Sequence, residues 1–335
     1  MILGKQVVMI GGTGFVGRAI LYALSKAGYH CKVLVRRPER HRDLLLFKNT
    51  QIGQCSPLTD AISLARQLEG ADIVINLSAD LSSGTEAISL EALAAVNRSL
   101  RKAIQQSGVK RVLTLSYLGA NASQTEDAWR QALGELEAMM QTLENAPATI
   151  MRAGLLIGEQ DDVTSRYQQQ LKLLPFLPVP HGKTTVQPLW IKDFARAFVN
   201  LVPNFAAAGK RFEVAGEERL TLVDLAKTVA ELMGKEDAMV FPMCSMNAKL
   251  MAKMGRFAPI RSSSETQLMM LNQDMVTDQD FQSQFGFEPA CLEHALSTYV
   301  VPNHLRARYN FLRREAGREP QELAMLDIEN PVEVP

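Results

Sequence analysis

The sequence predicts an α/β fold in which a doubly wound parallel sheet is joined to a smaller C-terminal α/β lobe. Short apolar runs alternate with amphipathic helical patterns through the first half of the chain, and a glycine-rich turn directly follows the first run. This alternation is typical of parallel strands covered by helices on both faces. The chain has 335 residues, 47% of them hydrophobic, which is enough for a large core.

The apolar runs are short enough to be buried parallel strands, and the segments between them repeat apolar residues at helical spacing. Strands are predicted at Val7–Ile10, Cys31–Val35, Asp72–Leu77, Arg111–Leu115 and Thr149–Met151. Helices are predicted at Val16–Ala27, Ala61–Leu68, Ile88–Gln106 and Ala128–Leu143.

The pattern changes after about residue 155, which predicts a domain boundary. The stretch Leu173–Gly182 is rich in proline and excludes a regular helix. Residues 1–155 are expected to form the first domain, completed by a strand and helix near 187–200, and 156–302 a smaller lobe for a substrate or partner. The lobe is predicted to contain a strand at Arg211–Val214 and helices at Leu222–Leu232 and 245–256. Residues 303–335 are interpreted as an extended, partly helical tail.

Composition and charge exclude several classes of function. The formal net charge is zero, so no basic footprint for nucleic acid is present. The four cysteines, Cys31, Cys55, Cys244 and Cys291, have no CxxC spacing, so neither a metal site nor a disulfide framework is expected. No apolar run is long enough to cross a membrane. The apolar N-terminus leads straight into the glycine turn and is interpreted as a strand rather than a signal peptide, which predicts a cytoplasmic protein.

Glycines at 11, 14 and 17 follow the first strand and precede a helix. Gly11 permits a tight turn, Gly14 lets backbone N–H groups approach a pyrophosphate, and Gly17 lets the helix pack closely on the strand. The helix N-terminus adds unpaired N–H donors and a positive dipole end. Because strand, turn and helix occur in the required order, the segment predicts a dinucleotide-binding loop, with Thr13, Phe15 and Val16 among its contacts.

The end of the second strand indicates which dinucleotide is bound. Folds that prefer NAD usually place an acidic residue there to bind the ribose hydroxyls. This chain has Arg36 and Arg37 instead, whose guanidinium groups suit a 2′-phosphate, so NADP(H) is favoured over NAD(H). The alternative is that one arginine is merely solvated at a strand end. Arg18, just past the glycine loop, could reach the phosphates or face solvent.

Together these segments resemble the atypical, extended short-chain dehydrogenases/reductases over nearly the whole chain to about residue 302. The segments in register are Gly11–Gly17, Leu34–Pro38, Asp72–Ser78, Val96-Asn97, Leu115-Ser116, Ile150–Gly158 and Gln187–Asp193. Within that superfamily the chain looks most like the nucleotide-binding accessory subunit of respiratory complex I and its bacterial relatives. This narrower resemblance depends on Leu34–Arg40, Ser116–Asn121 and Glu288–Leu296.

The resemblance implies a Rossmann fold that binds a nicotinamide dinucleotide. It also implies links to complex I or to ubiquinone metabolism, and hence a peripheral position at the inner membrane. Further cofactor contacts implied by register are Leu77, Ser78, Ala79, Asn97 and Ser116.

Catalytic members of this superfamily use a tyrosine as general acid/base and a lysine one helical turn later. Such a pair must share one helix face at positions i and i+4. By register, this chain has Trp129 and Leu133 in these places, and neither can exchange a proton near neutral pH. Ser116 keeps the strand-end hydroxyl. Tyr117 could replace the missing proton donor, or its ring could pack beside the cofactor or in the core.

Two functional hypotheses follow. The first is an NADP(H)-binding protein with little or no catalysis, in which the dinucleotide is a structural or redox-sensing ligand. The second is an active NADP-dependent oxidoreductase or isomerase on an apolar, quinone- or isoprenoid-like substrate.

Three further features are candidates for a substrate or partner. Arg152, at a strand end facing the cleft, could bind an anionic group or pair with a carboxylate. His181, in the proline-rich loop, could face the pocket or be solvated. The methionine-rich segment Met239–Met254 could contact a membrane-associated partner or an apolar small molecule, or simply pack on the small lobe.

Overall fold

The computed structural model describes residues 5–80, 89–243 and 265–301 of the chain. The strands in this part are β1 (Gln6–Ile10), β2 (His30–Val35), β3 (Thr50–Gln54), β4 (Ile73–Asn76), β5 (Arg111–Tyr117), β6 (Ala148–Ala153), β7 (Leu156–Ile157), β8 (Phe176–Pro180), β9 (Thr185–Val186), β10 (Leu189–Trp190), β11 (Arg211–Val214), β12 (Leu220–Thr221) and β13 (Met239–Met243). The α-helices are α1 (Phe15–Lys26), α2 (Ala61–Gln67), α3 (Leu90–Gln106), α4 (Ala128–Gln141), α5 (Thr164–Leu173), α6 (Ile191–Leu201), α7 (Leu222–Leu232), α8 (Glu265–Met270), α9 (Phe281–Phe285) and α10 (Leu292–Ser297).

A seven-stranded sheet forms the centre of the molecule, in the order β11-β6-β5-β4-β1-β2-β3. Every pairing in this sheet is parallel, which confirms the predicted fold class. The chain runs outward from β1 to β3 and then returns to β4 on the other side of β1. Open α/β sheets bind their ligands at this reversal, outside the carboxyl ends of the strands. The site is therefore expected where β1 and β4 end.

Helices cover both faces of the sheet, because each buries one apolar stripe. On α1 the stripe includes Val16, Ile20 and Leu24, spaced four residues apart and all 1% exposed or less. α1 packs against α6, whereas α2 packs on α3 and α3 on α4. No helix among the described residues is long and apolar enough to cross a membrane.

One element of the predicted domain division is wrong. The strand Arg211–Val214 was assigned to the smaller lobe, but as β11 it pairs with β6 and forms an edge of the central sheet. The reason is the crossover through α6, which packs beside α1 and returns the chain to the sheet.

The smaller lobe contains short strand pairs and helices. The proline-rich stretch is not a regular helix, as predicted: after α5 it forms β8. Among the described residues β8 pairs with β13 alone, and an edge position of this kind tolerates proline. β9 pairs with β12, and α5 packs on α7. The predicted helix at 245–256, most of the methionine-rich segment and the tail at 303–335 lie outside the described residues.

Candidate functional site

The glycine loop lies at the reversal point, and two of its glycines have no room for a side chain. Gly11 has φ +80°, and a Cβ there would lie 2.5 Å from the Leu77 carbonyl oxygen at the end of β4. A Cβ on Gly17 would lie 2.4 Å from the Gly11 carbonyl oxygen. These close approaches bring β1, the loop and α1 into one tight turn.

Gly14 is the residue before α1, with φ −77° and ψ −177°, a conformation open to any residue. Gly14 matters because it has no side chain. The N-cap residue of α1 therefore does not cap the first N–H groups of the helix. Arg18 does not reach toward the phosphates: its Nε donates to the Thr13 carbonyl oxygen at 3.0 Å and its guanidinium pairs with Asp43.

A buried polar network holds the end of β4. The Asn76 amide donates to Asn97 Oδ1 at 2.8 Å, and Asn97 Nδ2 donates to Ser78 Oγ at 3.0 Å. Asn97 also donates to the Leu93 carbonyl at 2.8 Å and is 0% exposed. Asn97 and Ser78 therefore position the turn that contains Leu77 and Ala79, and their contact with a cofactor stays a prediction.

An acidic residue that was missed at the sequence level faces the glycine loop. Asp80 Oδ2 accepts a hydrogen bond from the Val16 N–H at 3.1 Å, and Asp80 is 1% exposed. The sequence offers one signal for this contact: an acid follows the turn after the fourth strand. Because the ends of β1 and β4 meet at one edge of the sheet, such an acid is expected near the glycine loop.

Arg36 and Arg37 directly follow β2, and both are exposed. Their position at the carboxyl edge, beside the glycine loop, is the one that adenosine-ribose recognition requires in this fold.

Ser116 and Arg152 face a buried carboxylate instead of the cleft. Ser116 is 0% exposed, and its Oγ donates to Glu137 Oε1 at 2.6 Å. Arg152 donates to both Glu137 oxygens, to Glu213 and to the Ala120 carbonyl oxygen. Carboxylate pairing, the second interpretation of Arg152, is what the structure shows. A catalytic or cofactor role for Ser116 stays a prediction; in the structure its hydroxyl is buried and donates to Glu137.

Tyr117 lies beside Trp129 at the end of β5, with ring centroids 6.4 Å apart and planes at 43°. Burial, with the nearby charges of Asp80 and Asp162, raises the pKa of Tyr117 well above its usual value. Among the described residues nothing is hydrogen-bonded to its hydroxyl, although the residue is only 6% exposed. The phenol therefore stays protonated and can donate a hydrogen bond, but it is a weak acid.

The two positions expected to carry a catalytic pair are apolar and inside the protein. Trp129 is 2% exposed and Leu133 is 0% exposed, one turn apart on α4. Packing interactions take the place of the proton-transfer pair.

His181 belongs to the smaller lobe, where it forms the turn between β8 and β9 with φ +51°. The next residue, Gly182, is so close to Val223 and Pro242 that a Cβ there would lie 2.6 and 2.9 Å from their side chains. A substrate contact by His181 stays a prediction.

The residues at the carboxyl edge fit a dinucleotide in shape. Gly14 leaves the N-cap position of α1 without a side chain, and the turn after β4 closes against Gly11. The charge at this site fits a dinucleotide less well than the shape does. The Asp80 carboxylate already accepts a hydrogen bond from the Val16 N–H, a group that a pyrophosphate would use.

Comparison with known proteins agrees with this geometry. Residues 11–171 match the NAD(P)H-binding family model. The mitochondrial NADH dehydrogenase [ubiquinone] 1 alpha subcomplex subunit 9 of Arabidopsis thaliana is 29% identical over 69% of this chain and 58% of its own length. The Dictyostelium discoideum protein of the same name is 25% identical over 82% of this chain and 77% of its own. This chain thus spans less than two thirds of the Arabidopsis relative.

Among solved structures, the NADPH-dependent quinone oxidoreductase of Escherichia coli in complex with NADPH superposes with a TM-score of 0.68. It is 18% identical, and the match covers 87% of this chain and 99% of that one, so it supports the fold alone. The matched domain, the relatives and the parallel sheet agree with one another. Residues 11–171 thus match an NAD(P)H-binding domain, and the chain is similar over most of its length to the alpha subcomplex subunit 9 of complex I.

Proposed function

We propose that this protein binds NADP(H) and carries out little or no catalysis with it, the dinucleotide serving as a structural or redox-sensing ligand. The observation that carries the proposal is the burial of Trp129 and Leu133 where the resemblance puts the tyrosine and lysine. Neither side chain can transfer a proton, and neither position is open to a ligand.

The environment of Ser116 supports the same conclusion. In a reductase of this type a strand-end hydroxyl would hydrogen-bond the reacting oxygen, whereas here Glu137 accepts its hydrogen bond in the interior. A ligand that remains bound without turnover would stabilise the fold by mass action.

The preference for NADP(H) is supported by Arg36 and Arg37. Both side chains are exposed at the end of β2, and no acid stands at either position. A planar guanidinium binds a phosphate with two hydrogen bonds, whereas an acid there would repel it.

The partners follow from the relatives. Because the Arabidopsis and Dictyostelium proteins carry the name of a complex I subunit, we place this chain with a respiratory assembly or ubiquinone metabolism, peripheral to the inner membrane. In this proposal residues 1–155 bind the nucleotide, and the lobe within 156–302, apart from β11, meets the partner or an apolar small molecule.

The test is a thermal-shift measurement with NADPH, with NADH and with neither. An increase in the melting temperature that is larger with NADPH than with NADH is expected. No shift with either would overturn dinucleotide binding, and an equal shift would overturn the preference. The absorbance of bound NADPH at about 340 nm, followed across a panel of quinones, should stay constant if the protein is not an enzyme.

A second candidate function has one specific observation in its favour. Tyr117 is the last residue of β5, its hydroxyl has no hydrogen-bond partner among the described residues, and its raised pKa keeps it protonated. It could donate a hydrogen bond to a substrate carbonyl and polarise it, as an NADP-dependent oxidoreductase on an apolar substrate would require. NADPH oxidation that depends on a quinone and is lost in Tyr117→Phe would replace the first proposal with this one.

A further inference from the structure

The N-terminus of α1 is capped by a carboxylate from a distant part of the chain. The Val16 N–H donates to Asp80 Oδ2 at 3.1 Å, across 64 residues of sequence. A helix N-terminus favours negative charge through its N–H groups and its dipole. Asp80 therefore satisfies α1 in the way that a phosphate oxygen would.

Two other acids, Asp60 and Asp127, cap helices from the helix's own N-cap position. Asp60 caps α2 by accepting from Ile62, and Asp127 caps α4 by accepting from Trp129 and Arg130. The N-cap residue of α1 is Gly14, which has no side chain to offer. The position left open by that glycine is occupied from outside the helix.

Asp80 is held there by the turn that follows β4. Its N–H donates to the Leu77 carbonyl oxygen at 2.9 Å, and the Leu77 N–H donates to Ile10 of β1 at 2.9 Å. The Ser78–Asn97 hydrogen bond fixes the same turn from α3. The contact is therefore a consequence of how β1 and β4 end side by side.

We propose that Asp80 occupies the phosphate position of the glycine loop in the ligand-free protein and thereby sets its affinity for a dinucleotide. This inference depends on the proposed dinucleotide binding. A pyrophosphate brings negative charge to N–H groups on which a carboxylate already lies, and like charges at contact are strongly unfavourable. Binding must displace Asp80, so the loop holds a dinucleotide more weakly than its glycines alone would allow.

Displacement would also change the surroundings of Tyr117. The charge of Asp80 is one cause of the raised pKa of that phenol, so the phenol responds to the position of this carboxylate. If Asp80 moves when a dinucleotide binds, the electrostatic environment of Tyr117 changes with it. A substrate or partner that contacts Tyr117 would then respond to the occupancy of the nucleotide site.

The test is the dissociation constant of NADPH, measured by titration calorimetry for the wild type, Asp80→Asn and Asp80→Ser. Both variants remove the charge, and asparagine keeps an oxygen that can accept from Val16. Each should bind NADPH about tenfold more tightly than the wild type. Asp60→Asn is the matched control, because it removes a capping carboxylate from α2, away from the glycine loop, and should leave the dissociation constant unchanged.

The outcomes separate the two proposals. Binding by the wild type with equal or weaker binding by both folded Asp80 variants would overturn the role of Asp80 and leave dinucleotide binding intact. No binding by the wild type or by either variant would overturn both. Far-ultraviolet circular dichroism establishes whether each variant is folded. If Asp80→Asn does not fold, the dissociation constant of Asp80→Ser decides the role of Asp80.

Discussion

Glu137 of α4 and Arg152 of β6 form a two-point ion pair in the interior. Arg152 Nε lies 2.9 Å from Glu137 Oε1, and Nη2 lies 2.8 Å from Oε2. Glu137 is 1% exposed, and its hydrogen bond with Arg152 raises the pKa of the guanidinium further. The pair ties α4 to β6.

Glu137→Gln should destabilise the protein by about 3 kcal/mol, because it removes the closer and more deeply buried of the two carboxylates that pair with Arg152 and leaves only the more distant Glu213. The measurement is the free energy of unfolding in urea. Glu135→Gln on the exposed face of the same helix is the control, with an expected change within about 0.5 kcal/mol. A cost below about 1 kcal/mol for Glu137→Gln would show that the pair does not stabilise the fold.

Gly17→Ala should destabilise the protein by about 1–3 kcal/mol and weaken NADPH binding. The added Cβ would lie 2.4 Å from the Gly11 carbonyl oxygen and 2.6 Å from the Gly12 Cα, and backbone cannot yield as a flexible side chain can. Gly108→Ala is the matched control, because no atom outside the immediate chain neighbours lies within 4 Å of a Cβ at that position. Melting temperatures of both variants, with and without NADPH, check the prediction; equal behaviour of the two would contradict it.

Replacing both Arg36 and Arg37 by alanine should weaken NADPH binding about tenfold or more, since each hydrogen bond to a charged group contributes about 1.5–3 kcal/mol. NADH has no 2′-phosphate, so its dissociation constant should stay the same. Arg66→Ala removes one exposed positive charge from α2 and controls for net charge. A parallel loss of affinity for both dinucleotides would show that the arginines do not select the phosphate.

The protein should lose stability in alkali, above about pH 10. Burial raises the pKa of Tyr117, Tyr167 and Tyr299 above that of an exposed tyrosine. Between the unfolded and folded pKa values the native state holds more protons than the unfolded state, so the free energy of unfolding falls as pH rises. Below the pKa of tyrosine in the unfolded state, these buried tyrosines make their full contribution to the free energy of unfolding.

Tyr117→Phe should make that alkaline loss smaller, whereas Tyr22→Phe at an exposed position should not change it. The free energy of unfolding, measured in urea at a series of pH values, provides the comparison. An unchanged slope in Tyr117→Phe would contradict the raised pKa.

The cysteines should differ in their reaction with a disulfide reagent at mildly alkaline pH. Burial raises the pKa of Cys31 to about 12 and also raises that of Cys55, so little thiolate forms at either residue. Cys291 is exposed. Cys291→Ser should remove a fast-reacting thiol, and Cys31→Ser should leave the fast phase intact; the opposite result would show that Cys31 is accessible.

The sequence alone was sufficient to predict the parallel α/β fold and the position of the tight glycine turn between β1 and α1. These features depend on local constraints: β1 and α1 differ in the period of their apolar residues, and Gly11 needs a positive φ that few residues adopt. The apolar character of Trp129 and Leu133 was likewise visible in the residue types themselves.

The tertiary structure decided which polar side chains remain available to a ligand. Ser116 and Glu137 are 21 residues apart and Val16 and Asp80 are 64 residues apart, so no local pattern indicates either contact. The placement of β11 depended in the same way on the crossover through α6. A hydrogen-bond partner is determined by which elements pack together, and burial then decides whether a charge or hydroxyl is used inside the protein or offered at the cleft.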